Sequence, residues 1–331
     1  MTFSAPPMIR KFIRSFVYSS QQKQALIDFY STFLNHSRIQ TMKNVLDKRS
    51  KFIIPVLEDV RSEQNVAAVV RTVECFGMSN LHIINPPTSP PMNERKTRSK
   101  GVSSGATEWI YVKNHKSSEE CFQELKDKYN CRIIVTSPYS IPQLLAGEKR
   151  GQKASNTCTN YSPVITEKHI SLPHYVGVDQ VPIAFGPLKQ SKEDDKPIAL
   201  VFGNEAHGIS NVAIDHADAS LTLPLYGFTE SFNIHVSVAI STYFLNEKFR
   251  TYLSNPETKD FAEQYLYSSE EKTNILLEWL RDCVSRSDEL ELEFMRKEGI
   301  PIPASYALNS MSNVYTSSNP LVSPQQPMGN H

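Results

Sequence analysis

An asparagine and an arginine stand six positions apart in a segment that follows the first β-branched run of the chain. The segment reads Asn65-Val-Ala-Ala-Val-Val-Arg71, and its valines keep the spacing of a buried helix face. Arg71 lies off that stripe, so its guanidinium can reach over the strand ends and bind a phosphate with two parallel hydrogen bonds. A surface arginine paired with Glu74 or Glu58 is an equally good interpretation. Asn65 is predicted to be the helix N-cap, which is a sufficient structural reason for its presence.

Two further polar turns come later in the chain, each after a buried apolar run. The first contains Gly203 and Glu205, and it places backbone amides and a carboxylate at the carboxyl edge of a sheet, where open α/β folds bind ligands. The second follows a Pro-x-x-Gly break, and a helix is predicted to begin there at Ser231, whose hydroxyl is a natural N-cap. Asn233 follows closely, and together the two side chains offer hydrogen bonds to a polar ligand.

Short β-branched runs alternate with helical stretches along the chain, and the polar turns lie between these predicted elements. Strands that alternate with helices are typical of a parallel sheet covered by helices on both faces. We therefore predict an α/β fold with a mostly parallel sheet. The predicted strands are 52–57, 81–85, 108–112, 132–136, 198–202 and 220–223, and the predicted helices between them are 65–76, 117–129 and 231–249.

Charge and composition divide the 331-residue chain into segments. The first is basic and free of acids, which indicates a flexible N-terminus or, as the alternative, an organellar transit peptide. The last contains no charged residue and many prolines and serines, so it is predicted to be disordered. The segments are 1–24, a helical extension over 25–50, the main domain over 51–250 with an insertion of loops over 138–196, an acidic helical extension over 251–300, and the tail 301–331.

Composition and spacing argue against several classes of protein. Lysine plus arginine (35) balances aspartate plus glutamate (35), so an anionic partner must be met by a local basic patch. No apolar run is long enough to cross a bilayer, and no membrane partner is expected. The five cysteines form no CxxC pair, and His207, His216 and His235 lack ligand spacing, so we expect neither disulfides nor a metal site.

The same reasoning bears on nucleotide chemistry and on compartment. Ile209 stands where a phosphate-binding loop needs lysine, and no GxGxxG follows the first strand, which argues against a nucleoside triphosphatase and a dehydrogenase. The scattered cysteines indicate a reducing compartment. The cytoplasm is predicted, with a mitochondrion or another organelle as the alternative.

Taken in order, the three polar segments read NxxAxxRTxxxxG, LVFGNExxG and LPLxGxxESxN. This ordered set resembles the three motifs of the SpoU family of SPOUT RNA 2′-O-methyltransferases. The likeness covers about residues 50–250 apart from the insertion. The flanks, a helix leading straight into the first strand and an acidic helical pair after residue 255, are similar to the TrmH branch, the tRNA guanosine-2′-O-methyltransferases.

The resemblance implies a C-terminal trefoil knot, S-adenosylmethionine as the cofactor and a homodimer. It places the catalytic roles on positions that match the three motifs, and it places cofactor contacts at the strand ends beside them. Phe232 and Ala206 depart from the leucine and glycine usual at their positions. The implied catalytic residues are Asn65, Arg71, Glu205, Ser231 and Asn233, and the implied cofactor-binding residues are Thr136, Gly203, Leu223 and Phe232.

Basic residues in two regions are predicted to form a phosphate track for RNA, and a solvated loop beside a basic helix face is the alternative. They are Arg38, Lys43, Lys48 and Arg49 on the N-terminal helix and Arg95, Lys96, Arg98 and Lys100 in a loop. The first interpretation of function is methylation of a D-loop guanosine in tRNA. The alternatives are a methyltransferase acting on ribosomal RNA and a knotted RNA-binding protein without catalysis.

Overall fold

The computed structural model describes residues 16–85, 105–137, 169–171, 196–204, 207–223, 225, 227–229 and 231–302. The described residues fall into two compact units, one within Met1–His36 and Thr273–His331 and the other within Ser37–Lys272. Their elements, in chain order, are α1 (Ser20–Ser31), α2 (His36–Lys48), β1 (Ile53–Glu58), α3 (Glu63–Cys75), β2 (Asn80–Ile84), β3 (Tyr111–His115), α4 (Ser118–Asp127), β4 (Arg132–Thr136), β5 (His169–Ser171), β6 (Ile198–Phe202), α5 (Asn211–His216), β7 (Ala219–Thr222), α6 (Ile234–Ser254), α7 (Lys259–Glu263), α8 (Ser269–Cys283) and α9 (Ser287–Lys297).

The strands form one seven-stranded sheet in the order β3-β2-β1-β6-β4-β7-β5, and every neighbouring pair is parallel. The predicted parallel α/β sheet is therefore confirmed. Because β6 lies between β1 and β4, the turns that follow these strands leave the sheet side by side at its carboxyl edge.

One strand at the edge of the sheet was not predicted from the sequence. β5 comes from the predicted insertion of loops, yet it pairs with β7 at the end of the sheet. A strand of three residues is too short to show a period of two in the sequence. Residues 138–168 and 172–195 of the insertion lie outside the described residues.

Helices cover both faces of the sheet, as the sequence predicts. Side chains alternate along each strand, so Ile53 and Leu57 of β1 join one apolar cluster while Ile54 and Val56 join another. The first cluster includes residues of α3, α6 and α7, and the second includes residues of α4 and α5. The polar turns at the carboxyl edge are thus held by two packed layers.

Two helices begin at other residues than predicted. The N-cap of α3 is Ser62, whose hydroxyl accepts a hydrogen bond from the backbone N–H of Asn65, so Asn65 lies inside the helix. The N-cap of α6 is Asn233, and Ser231 lies two residues before it. In both cases two good capping residues stand close together, and spacing alone does not decide between them.

Two further elements differ from the prediction. β3 begins at Tyr111 and not at residue 108, because Ala106–Glu108 form a single 3₁₀ turn after Gly105, whose φ is +81°. The six-residue helix α5, capped by Ser210, was not predicted. It is too short to display helical periodicity.

The unit that holds α1 and α9 has a buried polar centre. The carboxylate of Glu291, which is 0% exposed, accepts hydrogen bonds from the hydroxyl of Tyr30 (2.8 Å) and from Nε of Arg281 (2.8 Å). Burial and this carboxylate both raise the pKa of the Tyr30 hydroxyl. A buried charge pair of this kind requires every partner to be present.

The predicted N-terminal and C-terminal segments differ in part from the helices of the structure. Helix α1 begins at Ser20, within the segment 1–24 that was predicted to be flexible, and residues 1–15 and 303–331 lie outside the described residues. The acidic extension contains three helices, α7, α8 and α9, where two were predicted. Among the described residues, no helix has the length and apolar character that crossing a membrane requires.

Candidate active site

The carboxyl end of β1 is anchored by a buried glutamate. Glu58 accepts hydrogen bonds from the backbone N–H (2.9 Å) and the hydroxyl (2.7 Å) of Ser210, and a third from the hydroxyl of Ser118. These bonds join β1 to the segments that cap α4 and α5. Glu58 therefore has a structural role at the carboxyl end of β1.

Arg71 lies on the exposed side of α3. The two carboxylates that could have paired with it on the surface have other partners. Glu74 lies 3.5 Å from the guanidinium of Arg49, and Glu58 is bonded to the two serines. Arg71 makes no ion pair or hydrogen bond within the described part of the chain. The interpretation of Arg71 as a paired surface residue is thus wrong, and its guanidinium remains able to bind an anion.

The first and third polar segments meet through two amides. The side-chain amide of Asn233 donates a hydrogen bond to the side-chain oxygen of Asn65 over 3.4 Å. The side-chain oxygen of Asn233 also accepts the backbone N–H of His235 (3.0 Å), which caps α6. Ser231 is exposed two residues before this cap. The structure therefore brings Asn65, Asn233 and Ser231 to the same end of α6.

The second polar segment is a tight turn closed by its own backbone. The N–H of Asn204 donates to the carbonyl of Gly208 (2.9 Å), and the reverse bond measures 2.8 Å. A Cβ added at Gly203 would lie 2.3 Å from the carbonyl carbon of Gly208, so only glycine fits. The predicted site residue Glu205 follows Asn204 in the sequence and lies outside the described residues.

Asn204 and Asp59 belong to the site although sequence reasoning did not single them out. The side-chain amide of Asn204 donates to the backbone carbonyl of Asp59 over 2.7 Å, which joins the β6 turn to the β1 turn. Asp59 adopts a left-handed conformation with φ of +52°. Aspartate is one of the few residues besides glycine that adopt this conformation readily, and it suits the turn that follows β1.

Three of the four predicted cofactor-binding residues, Thr136, Gly203 and Leu223, end or follow the neighbouring strands β4, β6 and β7. Thr136 ends β4, and its hydroxyl is used by the sheet because it donates to the carbonyl of Val201 (2.9 Å). Leu223 follows β7 and is partly buried, while Phe232 precedes α6 and is 38% exposed. Together with the backbone of the Gly203 turn, they offer two apolar side chains beside polar main-chain groups. This donor set fits a cofactor with a flat purine and a polar amino-acid end.

Residues 52–243, more than half of the chain, match the model of the SpoU rRNA Methylase family. The protein belongs to this family. Membership confirms the resemblance on which the sequence interpretation rests, and it confirms the enzyme class of RNA methyltransferases. The ordered polar segments of this SpoU methylase all lie inside the matched range.

Curated relatives of the SpoU methylase carry a more specific name. This chain is 26% identical over 266 residues to the tRNA (guanosine(18)-2′-O)-methyltransferase of Borreliella burgdorferi, and the match covers 80% of this chain and 94% of the relative. The enzyme of the same name from Aquifex aeolicus is 23% identical over 247 residues, with 75% and 90% covered.

A solved structure shares the fold of this SpoU methylase. The A. aeolicus TrmH/SpoU tRNA modifying enzyme superposes with a TM-score of 0.51 at 21% sequence identity, covering 75% of this chain and 98% of that one. A likeness at this identity supports the fold, which agrees with the parallel sheet described above.

The basic residues of the SpoU methylase divide into surface and core positions. Arg38, Lys43 and Lys48 are exposed on or beside α2, and the guanidinium of Arg38 lies 5.8 Å from the ring centre of Trp109. Arg49 is only 1% exposed, and it bonds to the carbonyl of Trp109 and pairs with Glu74.

The prediction that Arg49 belongs to a surface phosphate track is therefore wrong. Its position directly after α2 turns the side chain into the core, and burial lowers the pKa of its guanidinium although Glu74 opposes the change. The second predicted group of basic residues, Arg95, Lys96, Arg98 and Lys100, lies outside the described residues.

Proposed function

We propose that the protein transfers a methyl group from S-adenosylmethionine to the ribose 2′-oxygen of a D-loop guanosine in tRNA. The observation that carries this proposal is the contact between Asn65 and Asn233, which unites the first and third motif segments at the helix that also carries the exposed Arg71. Relatives named tRNA (guanosine(18)-2′-O)-methyltransferase, matched over 90% or more of their length, support the choice of nucleotide.

Methyl transfer depends mainly on how the reacting groups are positioned. Bound S-adenosylmethionine supplies an electrophilic methyl group that needs no further activation. The side chains must then align the ribose 2′-oxygen and guide its proton away, and alignment alone is worth about 7–11 kcal/mol. Ser231 and Asn233 at the start of α6 hydrogen-bond to the substrate, and Glu205 has the catalytic role that the second motif implies.

Arg71 has the central role in this proposal. A guanidinium has no lone pair free to accept a proton, so it is a poor general base. Arg71 instead binds the phosphate beside the target ribose through two N–H groups. A non-bridging oxygen of that phosphate accepts the proton of the 2′-hydroxyl. Since DNA lacks this hydroxyl, RNA is the substrate.

We also propose the finer architecture that the family implies. Residues 51–250 form the methyltransferase domain, its C-terminal part is threaded as a trefoil knot, and two copies form a homodimer beside the site. Two apolar side chains on α6 support the dimer, because Tyr243 is 56% exposed and Ile240 is 39% exposed. These side chains stand three positions apart on a helix and share one face.

The test is methyl transfer from labelled S-adenosylmethionine to total tRNA and, separately, to ribosomal RNA. Wild type is compared with Arg71→Ala and Arg71→Lys, and with Arg132→Lys at the opposite edge of the sheet as a control. We expect label in a tRNA guanosine with wild type and the control, and a loss of about 100-fold or more with both Arg71 variants.

Three other outcomes would contradict the proposed substrate, the proposed activity or the role of Arg71. Label in ribosomal RNA alone would move the substrate to the second candidate, a ribose in ribosomal RNA. Cofactor binding by calorimetry without transfer to either RNA would leave the fold standing and favour the third candidate, a protein without catalysis. Full activity in Arg71→Ala would remove Arg71 from the mechanism.

A further inference from the structure

Three side chains with metal-binding atoms meet in the core on the α4 side of the sheet. His82 of β2 and His115 of β3 are each 1% exposed, and Cys121 of α4 is 0% exposed. One ligand atom from each residue lies within 4.8 Å of the other two. Each residue comes from a separate element, so no spacing rule along the chain could reveal the group.

The cluster lies apart from the proposed methyl-transfer site. Leu81 and Ile83 of β2 belong to the apolar cluster that includes α3 and α6, so the intervening His82 points to the other face. Cys121 belongs to the cluster on that other face. The sheet therefore separates these three residues from Asn65.

Two of the three separations between the ligand atoms lie in the range that a single ion requires. Nδ1 of His82 lies 2.9 Å from Nε2 of His115 and 3.9 Å from Sγ of Cys121. Bond lengths of about 2.0–2.1 Å to nitrogen and 2.3 Å to sulfur place two ligand atoms of one ion about 2.9–4.4 Å apart. The two measured separations lie within this range.

Hydrogen bonding does not satisfy the group completely. The bond between the two rings uses one nitrogen of each histidine, and the other nitrogen of His115, Nδ1, is buried without a hydrogen-bond partner within the described residues. A buried polar atom without a partner destabilises the fold, so packing alone does not explain two histidines at this place.

We propose that His82, His115 and Cys121 bind one monovalent soft metal ion, Cu(I). Thiolate and imidazole are the ligands that soft and borderline ions prefer. One thiolate balances one positive charge, so a Cu(I) site is neutral, whereas a divalent ion would leave a net charge in a fully buried position. Structural zinc also takes four ligands, and the described residues bring three.

The experiment uses the full chain, freed of metal and kept without oxygen. It is titrated with Cu(I) in competition with the chromophoric chelator bicinchoninate. We expect wild type to retain one equivalent of copper per chain against the chelator. We expect Cys121→Ser and His115→Gln to bind copper at least about tenfold more weakly. Cys131→Ser, which changes a buried cysteine of the same apolar cluster, is the matched control and keeps the equivalent.

A second measurement protects the test against a variant that fails to fold. X-ray absorption of copper-loaded wild type is expected to show one sulfur and two nitrogen ligands. Equal copper binding in wild type and Cys121→Ser, or a copper environment of sulfur alone, would overturn the site. Tight binding of Zn(II) to wild type, lost in Cys121→Ser, with no retention of Cu(I) would overturn the choice of ion.

Discussion

The side-chain amide of Asn233, at the start of α6, donates a hydrogen bond to the side-chain oxygen of Asn65 on α3 over 3.4 Å. The two residues are 168 positions apart in the chain, and each belongs to a different motif. Asn233 serves both helices at once, since it also caps α6 through the backbone N–H of His235. The cap and the contact have separable consequences.

Replacing Asn233 with serine separates the cap from the contact. Serine is as good an N-cap as asparagine, but its side chain is too short to reach Asn65. We expect Asn233→Ser to unfold at nearly the wild-type denaturant concentration and to lose about 100-fold in methyl transfer, because the ends of α3 and α6 are no longer joined. Chemical denaturation and single-turnover transfer measure the two effects.

The matched control removes a cap elsewhere. Ser117 caps α4 through the N–H of Glu120, so Ser117→Ala is expected to lose about 1 kcal/mol of stability with unchanged transfer. A double variant, Asn65→Ala with Asn233→Ser, is expected to lose no more activity than either single variant. Additive losses would show that the two amides act independently.

The turn after β6 gives a second prediction. In Gly203→Ala the new Cβ would lie 2.3 Å from the carbonyl carbon of Gly208. The turn must therefore open, and we expect a loss of about 1–3 kcal/mol in stability together with weaker binding of S-adenosylmethionine by calorimetry. Gly227→Ala is the stability control, because its Cβ would meet Thr229 only at 4.0 Å. Wild-type cofactor affinity in Gly203→Ala would remove this turn from the binding site.

The sheet was predictable because most of its strands are short runs rich in apolar and β-branched residues, long enough to show in the sequence. The strands Arg132–Thr136 and Ile198–Phe202 begin and end at the predicted residues. The N-caps of α3 and α6 were not predictable from the sequence. Ser62 and Asn65 are both good capping residues for α3, and Ser231 and Asn233 are both good capping residues for α6. Only the hydrogen bonds of the folded backbone decide which residue ends outside the helix.

Arg49 and the metal-ligand cluster show the limit of local patterns. Arg49 follows the basic face of α2 in sequence, but its carbonyl and carboxylate partners come from residues 109 and 74. His82, His115 and Cys121 likewise meet only because β2, β3 and α4 pack together. Long-range packing of this kind leaves no period in a single sequence.

Arg49 and Lys43 are therefore expected to respond differently to the same change. Arg49→Gln leaves the carbonyl of Trp109 and the carboxylate of Glu74 without their cation, which costs about 1–3 kcal/mol of stability. Lys43→Gln changes an exposed side chain and is expected to keep stability. If Lys43 contacts a phosphate, tRNA binding weakens and the slope of log affinity against log salt falls by about 1.

Filter binding at several salt concentrations and thermal unfolding test both variants. A normal salt slope in Lys43→Gln would remove this residue from the phosphate track. A normal unfolding temperature in Arg49→Gln would contradict the structural role of the buried guanidinium.

The buried pair of Arg281 and Glu291 gives the last prediction. Glu291 is 0% exposed and accepts hydrogen bonds from Arg281 and from the hydroxyl of Tyr30. In Glu291→Gln the guanidinium loses its buried counter-charge, and we expect a loss of about 3–5 kcal/mol in the free energy of unfolding. Chemical denaturation of the full chain measures it.

Two comparisons show whether the loss comes from charge or from packing. The double variant Arg281→Met, Glu291→Leu removes both charges, and it is expected to be more stable than Glu291→Gln because no unpaired charge remains in the core. Glu289→Gln breaks the exposed pair with Arg286 and is expected to cost less than about 1 kcal/mol. If the double variant is no more stable than Glu291→Gln, lost packing and not the unpaired charge explains the effect.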